Sequence, residues 1–493
     1  MTWKTITTSL GIQYIGRLAG LFVSLFSVSL LTRYLGIAHF GEYTAAQAIA
    51  NLVITFSDFG FFWSTVQSYL HHEGKLESIK EILGIRVIAT LVLIVVSTII
   101  VLMGNFSTPV KQAYIILGIF IFASSVNNIL IALYQAEYKM LWPTIVDLFA
   151  RAVNLGIILI GMWMHLPLLW FILGISLASF SNLAINWIGL LKRQGPIFPR
   201  LRGVSWRKYY DSVALVGLMS LFSALFYKID VVILSWFKGS VDVGIYGAAQ
   251  KMVELAIMMQ SLFMASLFPL LVSRFKESRE AFLAVMRRSI IISAAIGMPL
   301  SLYGLLLDTQ IINLIGGRQF LTEATVFYNG IPVTTPVVLA ILLVFVLISY
   351  LSSPYTTGVL ASGQVRQLVK VNLLATLFNI GLNLWLIPRY SYFAAAITTL
   401  ITEVLILGLN GIYFCWRYSF RPPIWDLIKI TFATIPGVIF LVYTAQFSIA
   451  IRAPLVIVIY AASLSLLMPE LRQAIPSLIR SGNKATPSQR IAA

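Results

Sequence analysis

The sequence predicts an all-α membrane protein that crosses the bilayer about fourteen times. Three observations lead to this class: 59% of the 493 residues are hydrophobic, only 11% are charged, and the mean hydropathy is +0.89. Soluble globular chains carry about 25% charged residues. Apolar runs of roughly 20 residues, the length that crosses a ~30 Å hydrocarbon core, recur along the whole chain.

These apolar runs define the predicted spans. They lie at 10–32, 39–63, 82–104, 111–134, 143–163, 166–191, 209–236, 243–271, 283–306, 332–360, 366–387, 392–415, 425–444 and 452–469. The first run is long and lacks a small-residue cleavage site, so we expect it to stay in the mature protein. The single cysteine, Cys415, leaves no intramolecular disulfide, and the four histidines lack metal-ligand spacing. We therefore expect neither a cofactor nor a metal site.

The net charge of +17 would suit a nucleic-acid-binding protein, but its distribution indicates membrane orientation instead. With the N-terminus in the cytoplasm, 25 of the 35 Lys and Arg residues fall in cytoplasmic segments and six in outer loops. Four lie inside predicted spans: Arg17, Arg151, Lys228 and Lys251. This bias follows the positive-inside rule. We expect both termini and the basic loop 191–208 in the cytoplasm, and no nucleic-acid partner.

The chain also contains an internal repeat. FGEYTAAQ at 40–47 returns as VGIYGAAQ at 243–250, and the matched glycines, Gly41 and Gly244, would let two helix starts approach a neighbour closely. Because six spans lie on either side of the basic loop, the two halves enter the membrane the same way round, as parallel repeats do. The predicted organisation is an N-terminal six-helix lobe at 1–195, a basic cytoplasmic linker at 196–208, a C-terminal six-helix lobe at 209–418, and two additional spans with a cytoplasmic tail at 419–493.

Polar residues spaced three or four apart mark one face of several spans. These faces comprise Arg17, Ser24 and Ser27 in span one; Gln47, Asn51, Thr55 and Asp58 in span two; Asp147, Arg151 and Asn154 in span five; Tyr227 and Asp230 in span seven; Gln250, Glu254 and Ser261 in span eight; and Asn372, Thr376, Asn379 and Asn383 in span eleven. A polar group that faces lipid costs several kcal/mol, so such faces turn toward the bundle interior or a water-filled cavity. The alternative is that they only form hydrogen bonds from helix to helix.

Two charged pairs within single helices have the same two interpretations. Asp147 and Arg151, spaced i, i+4, can pair with each other, as can Lys251 and Glu254 at i, i+3. Lys228 lies near the outer end of span seven, where a long side chain can extend to the interface.

Two other charged residues lack a partner in their own helix. Arg17 has no acidic residue at i±3 or i±4, which makes it the candidate contact for a negative ligand. Glu403 in span twelve has no basic residue in its helix and is the candidate protonatable group. The candidates for ion or proton coupling are Glu403, Asp58, Asp230 and Glu254.

Signals of catalysis are weak. GIQYIGRL at 11–18 faintly resembles a phosphate-binding loop, but Arg-Leu stands where Lys-Ser/Thr is required and no strand precedes it. The Gly16/Gly20 pair in this segment fits close helix packing better. The sequence contains no Asp-x-Asp pair and no nucleotide-hydrolysing domain. We therefore expect a protein that is not an enzyme and has no catalytic residues.

Three segments of the sequence carry a resemblance to known proteins. They are LLTRYLGIAHFGEYTAAQAIANLVITFSDFGFFWSTVQ at 30–67, the segment 227–275 that begins YKIDVVILSWFKGSVDVGIYGAAQ, and FNIGLNLWLIPRYSYFAAAITTLITE at 378–403. Their order and spacing are similar to those of the O-antigen and exopolysaccharide flippases of the multidrug/oligosaccharidyl-lipid/polysaccharide superfamily. One departure is RYSYF at 389–393, where the family usually has a turn that contains glycine.

The resemblance implies a V-shaped cleft between two lobes that opens alternately to the two sides of the plasma (inner) membrane. The implied substrate is an undecaprenyl-pyrophosphate-type lipid-linked oligosaccharide, moved from the cytoplasmic to the periplasmic leaflet. Implied partners are membrane lipids and the polysaccharide polymerase and chain-length machinery. The residues expected to bind the substrate are Arg17, Ser24, Gln47, Asn51, Arg151, Asn154, Tyr227, Gln250, Lys251, Asn379 and Asn383. Alternative functions are a cation-coupled multidrug exporter, a peptidoglycan-precursor flippase and a non-transporting assembly partner.

Overall fold

A computed structural model describes residues 3–71, 76–200, 206–328 and 330–469. Within these ranges the chain forms fifteen α-helices and one two-stranded hairpin. The elements are α1 (Trp3–Asp58), α2 (Phe61–His71), α3 (Leu76–Met103), α4 (Thr108–Ala136), α5 (Leu141–Trp163), α6 (Leu168–Gln194), α7 (Trp206–Phe237), α8 (Ser240–Glu277), α9 (Arg279–Leu306), α10 (Asp308–Gly316), α11 (Gln319–Thr322), β1 (Phe327–Tyr328), β2 (Ile331–Pro332), α12 (Thr335–Ala361), α13 (Val365–Tyr418), α14 (Ile424–Tyr443) and α15 (Ile449–Leu467).

The helices agree with the predicted number of spans. Among the described residues, twelve helical segments are long and apolar enough to cross a membrane. Two of them contain a residue with non-helical backbone angles, Gly36 in α1 (φ 71°) and Ser391 in α13 (φ 50°, ψ −135°). Division at these two residues gives fourteen spans, and the breaks fall between predicted spans one and two and between spans eleven and twelve.

The break at Ser391 shows how this chain makes its turn without glycine. Its φ of 50° is rare for a residue with a Cβ, and such a conformation costs about 1–3 kcal/mol. The Ser391 hydroxyl donates a hydrogen bond to the buried Asp242 carboxylate of α8. The next residue, Tyr392, donates its hydroxyl to the Val333 carbonyl at 2.7 Å and accepts from the Thr325 backbone N–H at 3.2 Å. Tertiary hydrogen bonds thus hold the strained turn in place.

Helices of each half pack mainly against one another. In the first half α4 contacts α1, α3 and α6, and α5 contacts α1 and α6. In the second half α12 contacts α8, α9 and α13, while α13 also contacts α7. α14 and α15 contact each other, and α14 packs on α9. The predicted domain boundaries stay a prediction.

Part of the predicted linker is attached to α3. The Arg200 backbone N–H donates to the Lys80 carbonyl at 2.9 Å, and the Arg200 side chain pairs with Glu77. The hydrogen bonds from Lys80 and Arg200 hold the pKa of the exposed Glu77 carboxyl below its usual value. The rest of the basic linker from 201 to 205 and the tail from 470 lie outside the described residues.

The two halves meet where α1 crosses α8, and the repeated octets lie at this crossing. A Cβ on Gly41 would stand 1.8 Å from the Ser240 carbonyl oxygen, and a Cβ on Gly244 would stand 2.1 Å from the Ile37 carbonyl oxygen. Ile37 and Ser240 are themselves related by the repeat offset, so the contact is reciprocal. The predicted role of the two glycines in close approach is confirmed, and each has the other octet's helix as its neighbour. We call this crossing of residues 37–47 with residues 240–250 the octet seam.

Candidate functional site

A cavity of about 410 Å³ lies directly beside the octet seam, between α1, α4, α5, α6 and α8. We call it the N-half chamber. Its polar and charged lining residues are Ser24, Ser27, Tyr43, Gln47, Asp147, Arg151, Asn154, Ser179, Asn182, Lys251 and Glu254. Residues from both halves therefore share one cavity, because α8 of the second half forms part of its wall.

Arg151 lies between α5 and α1. Its Nε donates to Asp147 Oδ2 at 2.8 Å, which confirms the predicted pair within α5. Its Nη1 donates to the Gly20 carbonyl at 3.3 Å and to the Ser24 hydroxyl of α1. The Arg151 side chain remains 35% exposed, so the guanidinium is partly open to the chamber.

On the opposite wall, Glu254 lies between two lysines. Lys251 Nζ is 3.1 Å from Glu254 Oε2, as the i, i+3 spacing predicted, and Lys228 of α7 contacts the other carboxylate oxygen. The interpretation of Lys228 as an interfacial residue is wrong, because its ammonium lies inside the protein on this carboxylate. One carboxylate between two ammonium groups leaves this three-residue cluster with a net positive charge, although Lys228 itself lines the adjoining cavity and not the N-half chamber.

A second cavity, of about 340 Å³, shares Glu254 and Met258 with the first and is called the middle chamber. Tyr227, Gln250 and Asp230 line it. Gln250 Nε2 donates to the Tyr227 carbonyl at 3.2 Å. Asp230 is 1% exposed and accepts from the Tyr246 hydroxyl and, at 2.7 Å, from the Val231 backbone N–H.

A third cavity, of about 150 Å³, lies between α7, α8, α12 and α13 and is called the C-half chamber. It shares Tyr227, Ile257 and Ser261 with the middle chamber. Glu403 lines it, 4% exposed, together with Ser349 and Ser352 of α12. Among the described side chains, none that is basic forms an ion pair with Glu403.

Four predicted residues lie outside the three chambers. Asp58 pairs with the buried Arg86 of α3 at 3.1 Å, so it holds two helices together. Asn379 is fully buried and donates to Thr402 Oγ1 at 3.2 Å, and the equally buried Asn383 donates to Asn379 Oδ1 at 2.9 Å. No surface is left for a ligand at either asparagine. Asn379 has the helix-to-helix alternative, because Thr402 lies beyond the break at Ser391, whereas Asn383 bonds within its own span. Asn51 does not line these chambers either.

The side chain of Arg17 lies outside the described part of the chain, so its predicted contact with a negative ligand stays a prediction. Ser24, Gln47, Arg151, Asn154 and Lys251 do come together in the N-half chamber. No cluster of three or more His, Cys, Asp or Glu side chains that could hold a metal occurs among the described residues.

Some chamber residues were not predicted. Ser179 and Asn182 of α6 line the N-half chamber, and Asn182 Oδ1 accepts hydrogen bonds from Asn127 at 3.2 Å and from Asn186 at 2.8 Å. Their spacing of three and four places them on one helical face, a signal that the sequence contains. Lys228 had no such signal, because its partner lies on another helix.

Solved transporter structures have the same fold. The structure of the lipid II flippase MurJ in an inward closed conformation matches with a TM-score of 0.75 and 15% identity, covering 93% of this chain and 99% of that one. An inward-facing multidrug resistance MATE transporter of the MOP superfamily matches with a TM-score of 0.62 and 15% identity, covering 85% and 98%. A MOP superfamily transporter from Pyrococcus furiosus matches with a TM-score of 0.56 and 16% identity, covering 85% and 96%. At these identities the likeness concerns the fold.

These matches confirm the predicted fold class, an all-α polytopic membrane protein with two halves around a central cleft and two further C-terminal helices. Curated protein sequences give no match to the chain. One protein family, described as polysaccharide biosynthesis protein, matches residues 2–275, which is more than half of the sequence. The matched range includes the octet seam and both Lys228 and Lys251. The chain therefore belongs to the polysaccharide biosynthesis protein family.

Proposed function

We propose that this protein is a flippase that moves polyprenyl-pyrophosphate-linked oligosaccharides from the cytoplasmic to the periplasmic leaflet of the plasma membrane by alternating access. Its family membership and multi-pass fold support a transporter of lipid-linked material. The O-antigen or exopolysaccharide repeat unit is the proposed cargo, and both termini are proposed to be cytoplasmic.

The observation that carries the proposal is the cluster of cations at the border between the N-half chamber and the middle chamber. Lys251 and Lys228 share the single carboxylate of Glu254, and the partly exposed Arg151 is balanced by Asp147. The lining of the N-half chamber is formally neutral, with Arg151 and Lys251 against Asp147 and Glu254. Lys228 lines the adjoining middle chamber, and it leaves the Lys228–Glu254–Lys251 cluster between the two cavities with one positive charge in excess. A pyrophosphate would supply the missing negative charge and accept charge-assisted hydrogen bonds from the ammonium and guanidinium groups.

The polar groups around these cations suit the saccharide that follows the pyrophosphate. Gln47, Asn154, Ser179 and Asn182 line the same chamber. Asn154 is only partly buried, and its amide oxygen has no hydrogen-bond partner among the described groups. An excess of positive charge also disfavours a cationic drug, since a like charge would have to be desolvated next to two lysines.

The second candidate is a flippase for a peptidoglycan precursor, which carries the same polyprenyl pyrophosphate. The extent of the match to the MurJ structure, 93% of this chain against 85% for the MATE transporter, favours it over a drug exporter. The helices α14 and α15 account for two spans beyond the twelve in the paired halves.

The test is transport by the purified protein in phospholipid vesicles. The probe is a fluorescent undecaprenyl-pyrophosphoryl trisaccharide, and a membrane-impermeant quencher reports the labelled lipid in the outer leaflet. We expect the protein to accelerate its crossing at least tenfold over protein-free vesicles, with no transport of the cation ethidium. Transport of ethidium alone would refute the proposal, and faster transport of a pentapeptide-bearing precursor would favour the second candidate.

A further inference from the structure

The N-half chamber and the C-half chamber differ in their charged residues. This difference affects which saccharides each chamber can bind. The N-half chamber contains the cations Arg151 and Lys251 beside the carboxylates Asp147 and Glu254, whereas no basic side chain is among the described residues that line the C-half chamber. The only charged residue among the described residues of that lining is Glu403, and the polar residues that line the cavity with it carry hydroxyl or amide groups.

The polar groups of the C-half chamber come from four helices, α7, α8, α12 and α13. Asn372 Nδ2 of α13 donates to the Ser223 hydroxyl of α7 at 3.1 Å, and both side chains line the cavity. Ser349 of α12 donates to Gln260 Oε1 at 3.2 Å. Such groups can form hydrogen bonds to a ligand in both directions, because a hydroxyl donates and accepts and an amide does both with different atoms.

Aromatic rings form the other part of the wall. The Phe226 and Tyr227 rings lie with centroids 5.0 Å apart, and both residues line the chamber. A sugar ring has an apolar C–H face and a polar hydroxyl rim, so it can pack on an aromatic face while its hydroxyls bond to polar neighbours. This combination of side chains suits an uncharged sugar.

The C-half chamber is also within reach of a ligand held in the N-half chamber. α8 borders all three chambers, with Lys251 in the first and Ser261 in the last. Ten residues separate the two positions, which is about 15 Å along a helix. A pyrophosphate at Lys251 would thus place the distal sugars of an oligosaccharide, and not the first one, in the C-half chamber.

We infer that the C-half chamber is a subsite for the distal sugars of the lipid-linked oligosaccharide and that it selects neutral sugars over acidic ones. The inference rests on the proposed function. A uronic acid in this chamber would lose its water without gaining a cationic partner, and it would face the Glu403 carboxyl. A neutral sugar has no such penalty.

The test compares the affinity of the purified full-length protein for three soluble probes. They are farnesyl pyrophosphate, a farnesyl-pyrophosphoryl trisaccharide of N-acetylglucosamine, and the same trisaccharide ending in glucuronic acid. We expect the neutral trisaccharide to bind about tenfold more tightly than farnesyl pyrophosphate, and the acidic one to lose this gain. Equal affinity for the two trisaccharides would overturn the selectivity.

Variants locate the effect. Ser353 of α12 is another residue of the C-half chamber lining. Asn372→Leu should abolish the gain in affinity from the neutral trisaccharide, and Ser353→Lys, which adds a cation to the lining, should reverse the preference toward the acidic one. Affinity for farnesyl pyrophosphate is the internal control for folding and should stay unchanged in both. An unaltered gain in Asn372→Leu would overturn the location, whereas failure of the wild-type protein to bind farnesyl pyrophosphate would refute the proposed function instead.

Discussion

Glu254 determines the charge of the proposed site because it holds two lysines from different helices. Lys228 and Lys251 are 22% and 17% exposed, so both ammonium groups have left most of their water. With one carboxylate between them, each lysine is only partly neutralised. An anionic ligand would compete with Glu254 for the same two cations.

This competition gives effects of opposite sign. Lys251→Met and Lys228→Met should each weaken the binding of farnesyl pyrophosphate tenfold or more, since a hydrogen bond to a charged group contributes about 1.5–3 kcal/mol. Glu254→Gln should instead tighten binding several-fold, because both lysines are released to the ligand. Calorimetric titration of the purified variants measures all three.

The matched control is Lys276→Met, which removes an exposed lysine in the last turn of α8. It should leave the affinity unchanged. If Lys276→Met weakened binding as much as Lys251→Met, the effect would reflect overall charge and not this site.

Residues that pair within a helix were predictable, and residues that pair between helices were not. The Asp147–Arg151 and Lys251–Glu254 pairs follow from helical spacing alone. Lys228 and Glu254 are 26 residues apart on different helices, and Asp58 and Arg86 are 28 apart. Spacing gives the face that a residue occupies but not the helix that the face meets.

At the scale of elements, the octet seam joins the two halves through backbone contacts. The repeat offset predicted that Gly41 and Gly244 are equivalent, but equivalence does not imply contact. The structure brings them together, with Gly41 on Ser240 and Gly244 on Ile37. Next to them, Gly247 faces Thr44, where an added Cβ would stand 2.8 Å from Thr44 Cγ2.

Gly41→Ala should therefore destabilise the protein. The added methyl group would lie 1.8 Å from the Ser240 carbonyl oxygen, so α1 and α8 must move apart. Overpacking of this kind costs about 1–3 kcal/mol. We expect a melting temperature several degrees below that of the wild type, measured by intrinsic fluorescence in detergent.

Gly156→Ala in α5 is the control, because no atom lies within 4 Å of the position that the added methyl group would take, and alanine favours a helix by about 1 kcal/mol. It should melt at the wild-type temperature or above. Equal melting temperatures for the two variants would show that the seam is not tightly packed.

At the scale of the whole molecule, the number and limits of the spans were predictable from hydropathy because the bilayer fixes their length. The short helices α10 and α11 and the β1–β2 hairpin were not predicted, since they are brief and lie outside the apolar runs. The orientation is a separate prediction that depends on loop charge. The orientation of the protein in the membrane determines which side of the membrane the octet seam faces.

Two exposed glutamates, one before α9 in the sequence and one after it, test this orientation. Glu277 ends α8 just before α9, and Glu323 follows α11 beyond the other end of α9. α9 has 28 residues, which corresponds to about 42 Å and spans the bilayer.

In a Cys415→Ala background, Glu323→Cys should react with an impermeant maleimide in intact cells, because the basic loops place this end in the periplasm. Glu277→Cys should react only after the inner membrane is permeabilised. Since α10 and α11 contact α1 beside the octet seam, this pattern would place the seam at the periplasmic end of the cleft. The reverse labelling pattern would mean that the protein lies in the membrane with the opposite orientation, and it would contradict the proposed direction of transport.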